Sequence, residues 1–469
     1  MSKKKVVIIG SGIGGSGVGA LLAHSGAYEV SLYERNKLIG GRFASYEKEG
    51  FKIDIGCHLI ANCDKGTLGQ ILRLVGRPDW VEWHYASNPA PCINFKGKRM
   101  RFPEEIDAIG LPPEDLSKLM EFYTRALSIP EAEYDAWDRR SVFSLMQEYT
   151  KNETVRAVFG LLSAILFVIS DQDTPVGEFA LCSKQMLMNQ STGYPAGGTG
   201  SVPEAYVRSI KTDGGQVFLS TPIKQVVVEN GEAKGIILET GQKIEADIVI
   251  SNAGNQPTVN FLVGRKHYRP EVLERLDKYQ YSGCVSMMKI ALDQPITDEL
   301  MVMFIGRDDL SVLEKENQAG IIPEVLPGVM APVISNLDPK ACPAGRQLII
   351  AGGGVYPMPE KPDNEFFKKL EASMHNALKI IYPGIEKHIM WTTFTTSREI
   401  ENLFGEGGNV IGIAQKIGQV GPDRPFLTDP CVKNLYHCSA DSGRHGIGGE
   451  LAADSALRLF ELLESKQEK

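Results

Sequence analysis

The sequence predicts an α/β protein, in which a discontinuous Rossmann-like nucleotide-binding domain carries an inserted mixed α+β substrate domain. Three observations carry that prediction. A glycine-rich strand–turn–helix unit opens the chain, "VVIIGSGIGGSGVGALLA" (Val6–Ala23). A strand-rich stretch with several tight turns occupies the middle and ends in "ADIVISNAG". A second glycine-rich turn running into a helix, "SADSGRHGIGGELAADSA" (Ser439–Ala456), lies far downstream. Nucleotide-type pieces so widely separated imply one domain assembled from several segments, and 469 residues exceed a single compact core.

The elements follow in order. Val6–Ile9 is an unbroken apolar run, as expected of a parallel strand covered on both faces. Helical spacing takes over through Val18, Leu21 and Leu22, Gly26 ends the helix, and "EVSLYE" alternates as a second strand, completing a βαβ unit. Residues 100–190 read as mostly helical, with "LSKLMEFYTRAL" and "SVFSLMQEYT" at helical spacing. The apolar stretch "VFGLLSAILFVIS" (Val158–Ser170) is shorter than the roughly 20 residues of a membrane span. It is expected as a buried helix or the wall of an apolar pocket, with a monotopic membrane patch as the alternative. From about residue 215, short Val/Ile-rich runs broken by Asn-Gly and Thr-Gly predict a β-meander. Beyond residue 265, "CVSMMKIALDQPI", "GVMAPVISNLDP" and "RQLIIAGGGVY" read as strands and "NEFFKKLEASMHNALKII" as an amphipathic helix. The expected division is 1–80, 193–264 and 425–469 for the nucleotide-binding domain, and 81–192 and 265–424 for the substrate domain.

Composition bounds the partners. With 50 basic against 58 acidic side chains, no basic surface is forced, which argues against a nucleic-acid partner. The eight cysteines are scattered, none spaced Cys-x-x-Cys, and no His/Cys cluster has zinc spacing. Free thiols in a reducing cytoplasm and no metal are expected. Lysines precede the Val6–Ile9 run, but that run breaks at Gly10 and is too short for a secretory signal. The expected location is cytoplasmic, with peripheral membrane contact left open by Val158–Ser170.

The motifs narrow the ligand. In Gly10-x-Gly12-x-x-Gly15, Gly10 permits the tight turn, Gly12 lets backbone approach a pyrophosphate, and Gly15 packs helix on strand. The helix start then presents free N–H groups to an anion. Glu34 closes the second strand 24 residues after Gly10, near the spacing of about 20 for a carboxylate that holds a ribose hydroxyl. An acid there disfavours a 2′-phosphate. The next residues, "RNKLIGGRFAS", place Gly40-Gly41 in a turn no side chain would permit, and Arg42 beside it can pair with a diphosphate.

On these residues the sequence resembles the FAD-dependent amine oxidase/phytoene desaturase superfamily, with its Glu-x5-Gly-Gly-Arg continuation. Further stretches add to the resemblance. Asp54 and Gly56 in "FKIDIGCHLI" match an Asp-x-Gly turn near the flavin, and the extension to His58 is similar to the retinol saturase branch. "YPAGGTGSVPEAY" (Tyr194–Tyr206) resembles a segment that passes beside the flavin, although an ordinary loop before a helix reads equally well. Ala440 stands where the family has glycine; Asp441 matches the position that binds the ribityl–phosphate part of FAD, against the plain alternative of a helix cap. The turn at Gly448-Gly449-Glu450 would aim a helix N-terminus at the pyrimidine edge.

The resemblance implies FAD as cofactor in a glutathione reductase-like domain. It implies contacts from Gly10, Gly12, Gly14, Gly15, Glu34, Arg35, Gly41, Arg42, Gly56, His58, Ile223, Asp441, Gly448, Gly449, Glu450 and Leu451. "LIIAGGGVYP" follows a strand, but its prolines prevent a helix, so no second nicotinamide site is expected and the electron donor or acceptor stays unassigned. The implied reaction is hydride transfer at carbon–carbon bonds of an apolar, isoprenoid-like substrate, by desaturation, saturation or isomerisation. Met186, Met188, Met287, Met288, Met301 and Met303 suit an apolar pocket, or simply a core. His58, Tyr194 and His445 are the candidate proton-handling groups, with His58 also readable as a structural hydrogen-bonder. Two alternatives stand beside this: an amine oxidase, for which the C-terminal strand offers only Tyr436, and a non-catalytic prenyl-binding escort like the Rab GDP-dissociation inhibitors.

Overall fold

A computed structural model describes residues 3–56, 59–86, 92–102, 104–187, 191–355, 359 and 361–467. Its first sheet is wholly parallel. The strands are β1 (Lys4–Ile9), β2 (Tyr28–Tyr33), β3 (Gln216–Phe218), β4 (Ile248–Ser251) and β5 (Leu435–His437), in the spatial order β5-β4-β1-β2-β3. Val6 lies opposite Ile248 on one side and Val30 on the other, and Val249 opposite Leu435. Both faces of this sheet are covered, which is why β1 and β4 are continuous apolar runs.

On one face lies α1 (Ile13–Ser25), which is buried from Ile13 to Ala23. Its glycines make that possible. A Cβ on Gly17 would stand 2.9 Å from Ile71 Cδ1, and one on Gly19 2.8 Å from Ile210 Cδ1. The helix ends at Gly26 in the left-handed conformation that a C-terminal glycine supplies. The other face carries an antiparallel meander, Ile223–Glu229, Glu232–Leu238 and Lys243–Glu245, whose Val226, Ala233 and Ile236 join Val7 and Val249 in one core. The strand-rich middle of the sequence thus serves two sheets: its centre is the meander, while its ends are β3 and β4.

The second sheet has seven strands and is mostly antiparallel, in the order Ile389–Thr395, Ser286–Leu292, Gln347–Gly353, Gly328–Pro332, Met301–Ile305, Cys92–Phe95 and Lys98–Arg101. The helices α2 (Glu153–Phe167) and α3 (Val176–Leu187) share a core with Ile93, Met303 and Ile305, whereas Asn364–Ile381 packs with Met288, Val302 and Phe304. The hairpin Cys92–Arg101 lies just ahead of the segment expected to be helical. Its two four-residue strands are too short for a periodicity signal, and Lys96 and Gly97, both with positive φ, make the turn. Two further helices, α4 (Ser201–Thr212) and α5 (Gly449–Ser465), flank α1, and the helix Thr67–Leu74 packs on α1 and α5.

Candidate active site

A single cavity of about 980 Å³ runs from the carboxyl ends of the parallel strands to α2. That strand edge is where open parallel sheets bind their ligands. Gly10 and Gly12 line its first end, and α1 starts there with no side chain capping its N-terminus. The first N–H groups of the helix are therefore available to an anion. Gly448 and Gly449 line the same cavity further along, where α5 begins, again without a side-chain cap. Two uncapped helix starts, from segments more than 400 residues apart, converge on one space.

The glycines act at two depths. Gly10, Gly12, Gly41 and Gly56 are in the wall. Gly14 and Gly15 lie behind it: a Cβ on Gly14 would stand 2.3 Å from Cys438 O, and one on Gly15 2.2 Å from Gly10 O. Their work is to let α1 close on β1 and β5. Asn252 was not anticipated, yet its side chain packs under the turn, 2.4 Å from where a Gly12 Cβ would be.

The charged groups are held by partners that the spacing did not reveal. Glu34 accepts from the backbone N–H and hydroxyl of Ser11, at 2.9 and 2.8 Å, and from Asn36 N at 2.8 Å. Arg35 donates to Leu403 O. Arg42 lines the cavity but is anchored behind it, donating to Asn409 O at 3.0 Å and to Glu406 at 2.6 Å. Burial pushes the Glu406 carboxyl up to about 7 even against that guanidinium. Asp441 is in the wall, and its carboxylate accepts from Asn255 N at 2.9 Å and Ile413 N at 2.8 Å. Behind it the buried Arg424 of "GPDRPF" donates to the carbonyls of Asp441, Ala440, Ile413, Ala414 and Gln419. Arg424 thereby fixes the turn that carries Asp441. Ile223 and Glu450 also line the cavity; Leu451 is fully buried and is not among the described wall residues.

Two of the three proton-handling candidates need correction. Tyr194 is fully buried behind the wall, and its hydroxyl donates to Asp54 at 2.5 Å. Asp54 also accepts from the Ser45 hydroxyl and Thr199 N, so Tyr194 belongs to a structural network. His445 also lies off the wall, with Nδ1 2.8 Å from the carboxylate of the buried Glu178. His58 lies outside the described residues.

Beyond the nucleotide end the walls become apolar. Ala157, Gly160, Leu161, Ala164 and Ile165 of α2 line the cavity, the i, i+3, i+4, i+7, i+8 face of one helix. Met186, Met287, Met301 and Met330 face them. Met288 and Met303 pack in the cores instead, and Met188 lies outside the described residues. Gly352, Gly353 and Gly354 of the glycine run also line the cavity. Among the described residues the next helix begins at Asn364.

A parallel sheet, two uncapped helix starts on one cavity and an acid closing β2 define a dinucleotide-binding fold with an adjoining apolar chamber. Residues 19–379 match the family model described as flavin containing amine oxidoreductase, and the chain belongs to that family. FAD is its cofactor. Among curated relatives, the chain is 22% identical over 484 residues to the zeta-carotene-forming phytoene desaturase of Myxococcus xanthus, covering 94% of this chain and 90% of the relative. It is 25% identical over 493 residues to the chloroplastic prolycopene isomerase of Daucus carota, covering 94% and 77%. Among solved structures, an oxidoreductase from Methanosarcina mazei superposes with a TM-score of 0.73 at 21% identity, over 97% of this chain and 100% of that one. Putrescine oxidase with bound putrescine gives 0.71 at 14% identity, covering 99% of each chain. The Rab GDI of Plasmodium falciparum gives 0.55 at 15%, covering 98% of each. These likenesses establish the fold, which is shared by proteins of different activity.

Proposed function

We propose that this FAD-dependent oxidoreductase acts on carbon–carbon bonds of an apolar, isoprenoid-like substrate, by desaturation, saturation or isomerisation. The observation that carries the reading is the apolar chamber between α2 and the methionines of the second sheet, continuous with the nucleotide end of the cavity. The carotenoid enzymes among the relatives support the same class.

The residues divide the work. The α1 N-terminus and Arg42 would hold the diphosphate, Glu34 a ribose hydroxyl, and the α5 start the region where negative charge collects. FAD, when bound, supplies the centre for hydride exchange with carbon. The α2 face and Met186, Met287, Met301 and Met330 would orient an unsaturated chain and exclude water. Amine oxidation is the weaker reading. Tyr436 packs in the helix-side core and is absent from the described wall, so β5 offers no aromatic face to an amine.

Anaerobic mixing of the holoenzyme with polyenes and with amines, followed by flavin absorption, tests the proposal. Bleaching by a polyene, or reoxidation of chemically reduced flavin by one, is the expected result. Reduction by amines with no response to any polyene would overturn it.

A further inference from the structure

At the turn that carries His445, off the cavity wall, three side chains converge. Asp135 belongs to the short helix Tyr134–Trp137, Asp138 caps that helix, and His445 sits in the turn leading to α5. One ligand atom from each lies within 4.8 Å of the others. Glu178, in the first turn of α3, stands behind the imidazole. Its Oε1 accepts from Gly446 N and Gln415 Nε2, both at 2.8 Å, and its Oε2 lies 2.8 Å from His445 Nδ1.

That arrangement assigns the ring. A carboxylate locked against Nδ1 accepts the Nδ1 proton, so that in the neutral ring it is the Nε2 lone pair that faces Asp135. Nε2 meets Asp135 Oδ1 at 3.3 Å, but that oxygen has no hydrogen-bond partner. Asp138 is 4% exposed; its Oδ1 accepts from Glu178 N at 2.7 Å, and its Oδ2 has no partner at all. Three acceptors therefore share one small space. Arg444 neutralises only the outer Asp135 oxygen, Oδ2, at 2.6 Å. A proton on His445 would relieve the Asp135 contact yet leave Asp138 Oδ2 buried and unsatisfied, which is costly. A cation satisfies all three, and a carboxylate behind a ligating histidine is the usual support of a metal.

We propose that Asp135, Asp138 and His445 bind a divalent first-row cation such as zinc, with Glu178 orienting the histidine. One imidazole nitrogen and two carboxylate oxygens suit that class of ion, and water would complete the shell. The partly exposed side chains of Asp135 and His445 leave a path in. The site would pin a helix of the inserted domain to the turn that starts α5, and it does not depend on which substrate the flavin serves.

The test is titration of chelator-dialysed holoprotein with Zn²⁺ by calorimetry, and with Co²⁺ by visible absorption. One equivalent bound per chain, a higher Tm with metal, and coordinated-cobalt bands are expected. Asp138→Asn should weaken binding at least tenfold, and Glu178→Gln by about 10- to 100-fold; circular dichroism and flavin absorption check that each variant is folded. Absence of saturable binding to the wild-type protein, or unchanged affinity in a folded Asp138→Asn variant, would overturn the proposal and mark a proton-bridged cluster.

Discussion

Glu450 shows how position sets the chemistry of a single side chain. It stands in the first turn of α5, where the helix dipole favours its anion by about 0.3–1 kcal/mol, yet it is 7% exposed. Desolvation wins, and burial lifts its carboxyl from 4.5 to about 7. An acid whose folded pKa lies above its unfolded one favours the fold while protonated. That stability is full below about pH 4.5 and is lost as pH rises through 7. Glu450→Gln should therefore stabilise the protein at pH 8, by up to about 3 kcal/mol, with the gain disappearing near pH 4.5. Urea unfolding at both pH values measures this; an equal effect at both would refute it. Glu34 was legible because it closes a strand at a set distance from Gly10, and Arg42 and Asp441 because the stretches that carry them resemble those of the superfamily. Ser11, Glu406 and Asn409 obey no spacing, since they meet Glu34 or Arg42 only through the tertiary fold. Tyr194 and His445 looked available in a sequence that could not show Asp54 and Glu178 already holding them.

Among the elements, α2 explains an ambiguity that hydropathy alone could not resolve. Its stretch reads as either a buried helix or a pocket wall, and the folded helix is both. Val155, Val158, Phe159, Leu162 and Leu166 enter the core, while the face from Ala157 to Ile165 lines the cavity. Ala164→Phe should fill the chamber from a position with room for the ring. We expect binding of an apolar substrate to weaken by about tenfold or more, with the flavin spectrum and Tm retained. Fluorescence titration with a polyene checks this, and undiminished affinity would place the substrate elsewhere. The Cys92–Arg101 hairpin escaped the sequence because a four-residue strand carries too little pattern. Its Cys92–Phe95 strand is recognisable from its pairings, antiparallel with Lys98–Arg101 and parallel with Met301–Ile305, some 200 residues away.

For the whole molecule, the cofactor cavity joins segments that are distant in sequence, so ligand binding couples to global stability. FAD bound only by the native state adds about 2.7 kcal/mol at roughly 100-fold above its Kd. Removing FAD should lower Tm and increase hydrogen exchange at residues 10–16 and 439–452. Exchange in Asn364–Ile381, which packs against the second sheet away from the cavity, should change little. Uniform loss of protection would contradict this. The parallel order of the first sheet was legible from its glycine-bounded strands; the assignment of β3 to that sheet was not, because three residues cannot announce their partner.

The convergence of two helix starts also has a meaning for biosynthesis. The α1 end of the pocket is encoded upstream, and the opposing helix is made only after residue 448 has been joined. Between those two points of translation the nascent chain holds one of the two helix starts and not the other. Flavin capture is a late event, and a chain cut short before α5 would carry the recognisable motif and none of the colour.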